Sequence, residues 1–360
     1  MENEIHEYEQ SEGVQQCREY HYHYHYYQPQ AYPARRLSEA PHRVPAVGRK
    51  PKSQLRVNAN IICGGLLLLL VFSVTAEWVP NILARMLISP NRFVDIQRIF
   101  EQGVTLFSYA FSFGLALFLT KTWIKIPTRV AFPLRRGSLS LAIPAIFICL
   151  GIGVLGSLSY ALIAGALESG AGITPPSTDF KPPGDTVSLV MYVILLTVFP
   201  SVLEELLFRG VIMQSLRRFG DGFAIVASSI LFGLIHGNLM QIIPAFLVGL
   251  AIGYFVIRTG SILTGILIHF VNNALAVAAT LLTGGNEELT IIANLIIFTL
   301  YLLTGVIAAI FLLWRRPDIF RLAPPPPDMP EKKRLLVFFT ALTSVIFILI
   351  IAGFTASDFM

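Results

Sequence analysis

Charged residues are scarce in this chain. Only 14% of the 360 residues are Asp, Glu, Lys or Arg, whereas a typical soluble protein has about a quarter. Hydrophobic residues make up 54% of the chain, so there is too little polar side-chain area to cover two soluble domains. The composition therefore indicates a membrane protein.

Cysteine is also scarce, and its spacing excludes two kinds of small scaffold. Cys17, Cys63 and Cys149 form no Cys-x-x-Cys pair, and two of them lie in apolar stretches. This odd set argues against a disulfide framework and against a zinc knuckle. The chain has no His-Glu-x-x-His sequence either, so spacing alone does not require zinc.

The net charge of +5 does not indicate a nucleic-acid partner. The basic residues lie between apolar runs, and the sequence offers neither a folded basic face nor an aromatic platform for bases. We expect no nucleic acid as a partner. Membrane lipid is the expected partner of the basic segments.

Apolar runs, in contrast, are abundant. A helix needs about 20 apolar residues to cross the hydrocarbon core of a bilayer. Nine stretches are candidates, of which the fourth is long and the fifth is short. They predict an all-α membrane protein, a multi-pass transmembrane helical bundle with nine spans, or eight in the alternative count. The stretches are Ile61–Val79, Val104–Thr120, Leu141–Leu167, Val187–Leu216, Ala224–His236, Gln241–Ile257, Ile262–Leu282, Ile291–Leu313 and Leu335–Phe354.

The basic residues also predict the orientation of the spans. Cytoplasmic loops retain Lys and Arg, and an N-terminus inside the cell places nearly all of them in cytoplasmic segments. The exceptions are Arg85, Arg92, Arg98 and Lys181. Nine spans then leave the C-terminus outside. We expect a multi-pass protein of the cell membrane, in the orientation of a bacterial inner membrane.

The composition divides the chain into four parts. The run His21–Tyr27 could chelate a metal weakly, but its low complexity favours a disordered tail. The proline run Pro324–Pro327 predicts a flexible spacer before the last span. The parts are the basic cytoplasmic tail 1–56, the N-terminal spans 57–182, a core 183–285 with polar residues inside its spans, and the C-terminal spans 286–360.

Ionisable residues inside the predicted spans are few and concentrated. Each costs about 2.5–3.5 kcal/mol to insert, so such residues are functional candidates. The ionisable residues are Glu204, Glu205 and Arg209 in the fourth span, His236 at the end of the fifth, and His269 in the seventh. Two asparagines, Asn272 and Asn273, also lie in the seventh span.

Helical geometry predicts different roles for the two glutamates. Adjacent residues point about 100° apart, so Glu204 and Glu205 face different ways. Arg209 lies four residues after Glu205, the spacing at which the two side chains meet in a structural ion pair. Glu204 is then free to face a cavity as a general base. Pro200 frees a backbone carbonyl one turn earlier and is expected to kink the helix.

Counting along the helices predicts that these residues meet. At about 1.5 Å per residue from the predicted cytoplasmic ends, Glu204, His236 and Asn273 lie at a depth of about 20 Å. His269 lies at a depth of about 13 Å. Each group alone has an ordinary structural explanation, such as a helix salt bridge, an interhelical hydrogen bond or, for Phe232, packing. Their combination favours a functional site.

Three motifs in this order resemble the CAAX prenyl protease and bacteriocin-processing (Abi) family, and within it the type II CAAX prenyl endopeptidases. The family pattern is Glu-Glu-x-x-x-Arg, Phe-x-x-x-His and His-x-x-x-Asn. It matches Glu204–Arg209, Phe232–His236 and His269–Asn273 within about residues 187–282. The resemblance implies an intramembrane endopeptidase whose site is reached from the cytoplasm.

The resemblance also implies roles for the site residues. Glu204 would be the general base that activates water, and His236 would help to hold that water. His269 and Asn273 would stabilise the oxyanion. The family is commonly described as metalloproteases, and zinc held by His236, His269 and a carboxylate is an alternative. A metal-free glutamate mechanism fits the same residues, and we favour it.

The expected substrate is a peptide or protein with a cleavage site near the membrane or at its C-terminus. Two other functions are open to the same sequence. A non-catalytic scaffold or bacteriocin self-immunity protein of the same fold would be expected to lose a motif residue, and none is lost. A proton-coupled transporter with Glu204, His236 and His269 as a relay would be expected to show internal repeats and a continuous polar path, and the sequence shows neither.

Overall fold

Apolar helices of membrane-spanning length account for most of the structure. The computed structural model describes residues 51–87, 90–135, 137–172, 182–283 and 287–357, and every regular element in these ranges is helical. The α-helices are α1 (Pro51–Leu87), α2 (Pro90–Ile124), α3 (Thr128–Ala131), α4 (Leu139–Ala171), α5 (Thr186–Phe199), α6 (Met213–Leu216), α7 (Asp221–Leu234), α8 (Leu239–Thr259), α9 (Ile262–Thr283), α10 (Glu287–Arg315), α11 (Glu331–Phe339) and α12 (Leu342–Ser357). Between α5 and α6 the chain continues as π-helix over Pro200–Glu204 and Leu206–Ile212.

The number of membrane spans is close to the prediction. Seven helices in the described ranges are long and apolar enough to cross a membrane, and eight if α11 and α12 form one span bent by 73°. The prediction of an all-α multi-pass membrane bundle is therefore confirmed. The predicted fifth span corresponds to α7, which has 14 residues. At a rise of 1.5 Å per residue it is about 21 Å long, short of the core thickness of about 30 Å.

Glycines set both ends of α7. Gly220 precedes the helix with φ 121°, and Gly237 follows it with φ 71°. These backbone conformations strongly favour glycine, because a Cβ atom would clash. His236, predicted on a helix face, consequently lies in the turn between α7 and α8. Which side of the membrane each terminus occupies stays a prediction.

Most of the predicted N-terminal tail, including the His21–Tyr27 run, lies outside the described residues. Helix α1 begins at Pro51, so residues 51–56 at the end of that segment are helical. Proline is favourable at the first position of a helix because its missing N–H would have no partner there.

One residue of the proline run is packed into the structure, while Pro324, Pro325 and Pro327 are exposed. Pro326 is buried, and its carbonyl accepts a hydrogen bond from Arg334 Nη2. Arg334 is itself only 1% exposed and lies 3.3 Å from Asp328 Oδ1. A buried guanidinium needs such acceptors, and here it ties the run to the start of α11.

The helical segment after α5 lies at the centre of the bundle. Residues 207–216 are all buried, and helices α2, α7 and α9 contact the π-helical part. Close approach depends on glycine: a Cβ at Gly249 of α8 would lie 3.2 Å from Arg209 Nη2, and one at Gly265 of α9 would lie 2.9 Å from Glu205 Oε2. Small residues allow helix backbones to approach in this way, which places α8 and α9 against the charged residues.

Candidate active site

The π-helical turns begin at Pro200, where the sequence predicts a kink. Proline has no N–H, so the carbonyl of Leu196, four residues earlier, loses its usual helical partner. Asn273 Nδ2 of α9 donates a hydrogen bond to this carbonyl at 3.1 Å. The wider turns that follow carry Glu204 and Arg209, with Glu205 between them. Single π-helical turns inside α-helices are frequent at functional sites.

Glu205 and Arg209 form a fully buried ion pair. Arg209 Nη1 lies 2.8 Å from Glu205 Oε1, and both side chains are 0% exposed. Arg209 Nη2 donates to the carbonyl of Gly249 at 3.4 Å, and its Cζ lies 4.1 Å from the ring centroid of Phe232. The carboxylate, the carbonyl and the aromatic face together offset part of the cost of burying the guanidinium, whose buried Nε has no hydrogen-bond partner in the described structure.

His269 connects the two glutamates. Its Nδ1 lies 3.0 Å from Glu205 Oε1. Because a carboxylate paired with arginine only accepts hydrogen bonds, we assign the proton to Nδ1. The opposite ring nitrogen, Nε2, lies 3.9 Å from Glu204 Oε2. That separation exceeds a direct hydrogen bond and suits a single bridging water.

Glu204 is held from a helix that the motifs do not include. Tyr109 of α2 donates a hydrogen bond from its hydroxyl to Glu204 Oε1. Glu204 is buried, with 7% of its surface exposed. Nothing in the sequence singled out Tyr109, because one tyrosine in an apolar span is ordinary. The structure therefore adds a contact to Glu204 that sequence reasoning missed.

His236 is bonded to the backbone of the preceding helical turn. Its Nδ1 donates to the carbonyl of Phe232 at 2.8 Å, which leaves Nε2 as an acceptor. The ring of Phe232 lies edge-on to both histidines, with centroid distances of 5.3 Å to His236 and 5.8 Å to His269. Within the described part of the chain, no carboxylate lies within ion-pair distance of His236.

Asn273 is fixed at both ends of its amide. Its Nδ2 donates to the Leu196 carbonyl, and its Oδ1 accepts from Asn272 Nδ2 at 3.2 Å. One N–H of Asn273 is therefore committed to the backbone of α5. The structure gives Asn273 a second, structural task beside the oxyanion role implied by the resemblance.

We expect Asn273→Leu to destabilise the fold by about 1–3 kcal/mol, because it leaves the part-buried Leu196 carbonyl without a donor. The midpoint of unfolding in detergent, followed by circular dichroism, measures the loss. Asn294→Leu, at an exposed position on α10, makes the same chemical change and should leave the midpoint unchanged. Equal effects of the two substitutions would contradict this role.

The described side chains are not grouped as the ligands of a zinc ion. Among the described residues, no three His, Cys, Asp or Glu side chains are placed to hold a metal ion. His269 Nδ1 is engaged with Glu205 and His236 Nδ1 with a backbone carbonyl, which leaves the Nε2 atom of each ring available. What the described residues lack is the grouping of His236, His269 and a carboxylate around one point.

Comparison with known families agrees with the motifs. Residues 186–275 match the family model described as type II CAAX prenyl endopeptidase Rce1-like. The match covers about a quarter of the chain, includes every motif residue and confirms the resemblance. At the level of the family, this region is similar to a CAAX-type intramembrane protease. Searches of curated proteins and of solved structures found no match.

Proposed function

We propose that this protein is an intramembrane endopeptidase that hydrolyses peptide bonds by means of a glutamate-activated water. The observation that carries the proposal is the approach of Glu204 Oε2 to His269 Nε2, 3.9 Å apart on two different helices. Beside this gap, the buried Glu205–Arg209 pair fixes the orientation of His269. A purely structural salt bridge would need neither the second carboxylate nor the imidazole.

In the proposed reaction, Glu204 moves a proton in both steps. Its Oε2 takes a proton from water while the water oxygen adds to the carbonyl carbon of the scissile peptide. The product of this step is a tetrahedral intermediate with a negative oxygen. Glu204 then gives the proton to the leaving nitrogen, the C–N bond breaks, and a carboxylic acid and an amine are released.

The remaining site residues can hold the water and stabilise the negative charge that forms on the oxyanion. His236 Nε2, left free by the bond from Nδ1 to the Phe232 carbonyl, can accept a hydrogen bond from the water. His269 Nε2 can donate to the oxyanion when the ring is the imidazolium, because Nδ1 already carries a proton toward Glu205. The second N–H of Asn273 can supply another donor.

The substrate class follows from the place of the site in the chain. Glu204 and His269 lie inside helices that are long and apolar enough to span a membrane. We therefore propose a membrane-anchored peptide or protein with a cleavage site near the membrane or its C-terminus. We propose membrane lipid, and not nucleic acid, as the partner that surrounds the protein. The basic segments then orient the protein in a bacterial cell membrane.

The test is proteolysis by the full chain in liposomes. A library of membrane-anchored peptides, with and without a prenylated C-terminal cysteine, is incubated with the protein, and products are identified by mass spectrometry. We expect cleavage close to the membrane anchor. A physiological substrate that binds the reconstituted protein but stays intact would contradict the proposed endopeptidase activity and favour the scaffold function.

A chelator separates the two mechanisms. We expect 1,10-phenanthroline to change the rate of cleavage by less than about twofold, because no ligand set for zinc is assembled in the described residues. The measurement compares initial rates before and after chelation and after zinc is added back. Activity lost on chelation and restored by zinc would show a metal mechanism instead.

A further inference from the structure

We propose that Tyr109 is a positioning residue for the general base: its hydroxyl holds one oxygen of Glu204, so that the other oxygen faces the reacting water. This inference rests on the proposed function and deepens it. Tyr109 lies in α2, outside the region 186–275 that matches the family model, and in none of the three motifs. The site would therefore be completed by a helix outside the matched core.

The two oxygens of Glu204 have different surroundings. Oε1 accepts the hydrogen bond from the Tyr109 hydroxyl, and Oε2 lies 3.9 Å from His269 Nε2. The oxygens of a free carboxylate are equivalent, and the group rotates. A donor bound to Oε1 makes the two oxygens different and stops the carboxylate from rotating. The oxygen directed at the water is therefore always Oε2.

Glu204 depends on Tyr109 for a hydrogen bond because the charged groups nearby are bonded to Glu205 instead. Arg209 is paired with Glu205, and His269 Nδ1 is bonded to the same carboxylate. Among the described residues, Tyr109 is the one side chain that donates a hydrogen bond to Glu204. A buried carboxylate without any donor would be costly, and a charge-assisted hydrogen bond is stronger than a neutral one.

The ring of Tyr109 is fixed by aromatic packing, which directs its hydroxyl. It stacks on Phe113, one helical turn further along α2, with a centroid distance of 4.5 Å. It also meets Phe199, at the end of α5, edge-on at 6.4 Å. Since Phe113 and Phe199 contact the ring and not the hydroxyl, Tyr109→Phe should keep the packing and remove only the hydrogen bond.

The first measurement is the cleavage kinetics of Tyr109→Phe. We expect kcat to fall about 10- to 100-fold, with KM within about twofold of wild type, because the lost contact acts on the base and not on substrate binding. Tyr254→Phe is the matched control. The hydroxyl of Tyr254 is buried and has no hydrogen-bond partner within the described structure, so its removal should leave kcat unchanged.

The second measurement requires no activity. In protein labelled with ¹³C-carboxyl glutamate, the infrared difference between wild type and Glu204→Gln isolates the carboxylate band of Glu204. We expect Tyr109→Phe to shift this band and Tyr254→Phe to leave it in place. A loss of packing alone would lower stability but would not produce this pattern.

The outcomes separate this inference from the proposed function. An unshifted Glu204 band, or a kcat of Tyr109→Phe within about twofold of wild type, would overturn the role of Tyr109 while leaving the protease in place. If wild type cleaves no substrate, the proposed function fails, and the infrared comparison still decides whether Tyr109 holds Glu204. A shifted band together with a selective fall in kcat supports the inference.

Discussion

Glu204→Gln should lower kcat/KM for peptide cleavage by a factor of about 10² to 10⁴, the usual contribution of a general base. Gln has nearly the same shape as Glu and can still accept the hydrogen bond from Tyr109. It cannot take a proton from water near neutral pH, so only the chemical step is removed. Initial rates in liposomes at a range of substrate concentrations measure the effect.

The control for Glu204→Gln is the same substitution at a carboxylate remote from the motifs. Glu288 is exposed at the start of α10, and Glu288→Gln should leave the rate within about twofold of wild type. Cleavage that survives Glu204→Gln would show that another group activates the water. Unchanged unfolding midpoints for both variants would exclude a loss of fold as the cause.

Arg209→Met should destabilise the protein by about 3–5 kcal/mol, because it leaves the buried carboxylate of Glu205 without its charged partner and with His269 Nδ1 as its remaining donor. Both side chains of the pair are 0% exposed, so no water can replace the guanidinium. Met has a similar length and keeps the apolar packing against Phe232. The shift of the unfolding midpoint in detergent gives the loss of stability.

A second substitution tests whether charge is the reason. Arg209→Met combined with Glu205→Gln removes both charges, so the double variant should be more stable than Arg209→Met alone. Arg321→Met is the exposed control: Arg321 pairs with Asp318 at 2.9 Å, but its side chain is 78% exposed. Its loss should change stability by less than about 1 kcal/mol. A double variant as unstable as the single one would contradict this explanation.

The fold class could be predicted because it depends on quantities that a sequence displays directly. A membrane-spanning helix requires a long apolar run, and it satisfies its own backbone hydrogen bonds within the bilayer. The fifth predicted span, at 13 residues, is short already in the sequence, and it corresponds to the 14-residue helix α7. Hydrophobicity does not reveal that glycines with positive φ angles, Gly220 and Gly237, flank this helix.

The candidate site could be predicted in part. Contacts within one helix follow from spacing, as with the pairing of Glu205 and Arg209 four residues apart. The depth count placed Glu204, His236 and Asn273 at about 20 Å and His269 at about 13 Å, but it could not say which nitrogen faces which oxygen. Nor could it show that His236 lies in a turn with its Nδ1 on the Phe232 carbonyl.

Two contacts of the site were beyond any periodic pattern. Tyr109 reaches Glu204 across 95 residues of sequence, and Asn273 reaches the Leu196 carbonyl across 77. The first contact joins α2 to the π-helical segment, and the second joins α9 to α5; α9 approaches the π-helical segment closely at Gly265. Pro200 indicates that the Leu196 carbonyl lacks its helical hydrogen bond, but the sequence does not show which helix supplies the donor.

By itself, then, the sequence determined the membrane class, the helical architecture and the motif residues that are candidates for a site. These follow from composition and from the 3.6-residue period, which act along the chain. The tertiary structure alone decided the hydrogen bond from Tyr109 to Glu204, the bond from His269 to Glu205 and the lack of a zinc ligand set among the described residues. Those depend on how the helices rotate and approach one another, which is fixed by close packing between segments far apart in the chain.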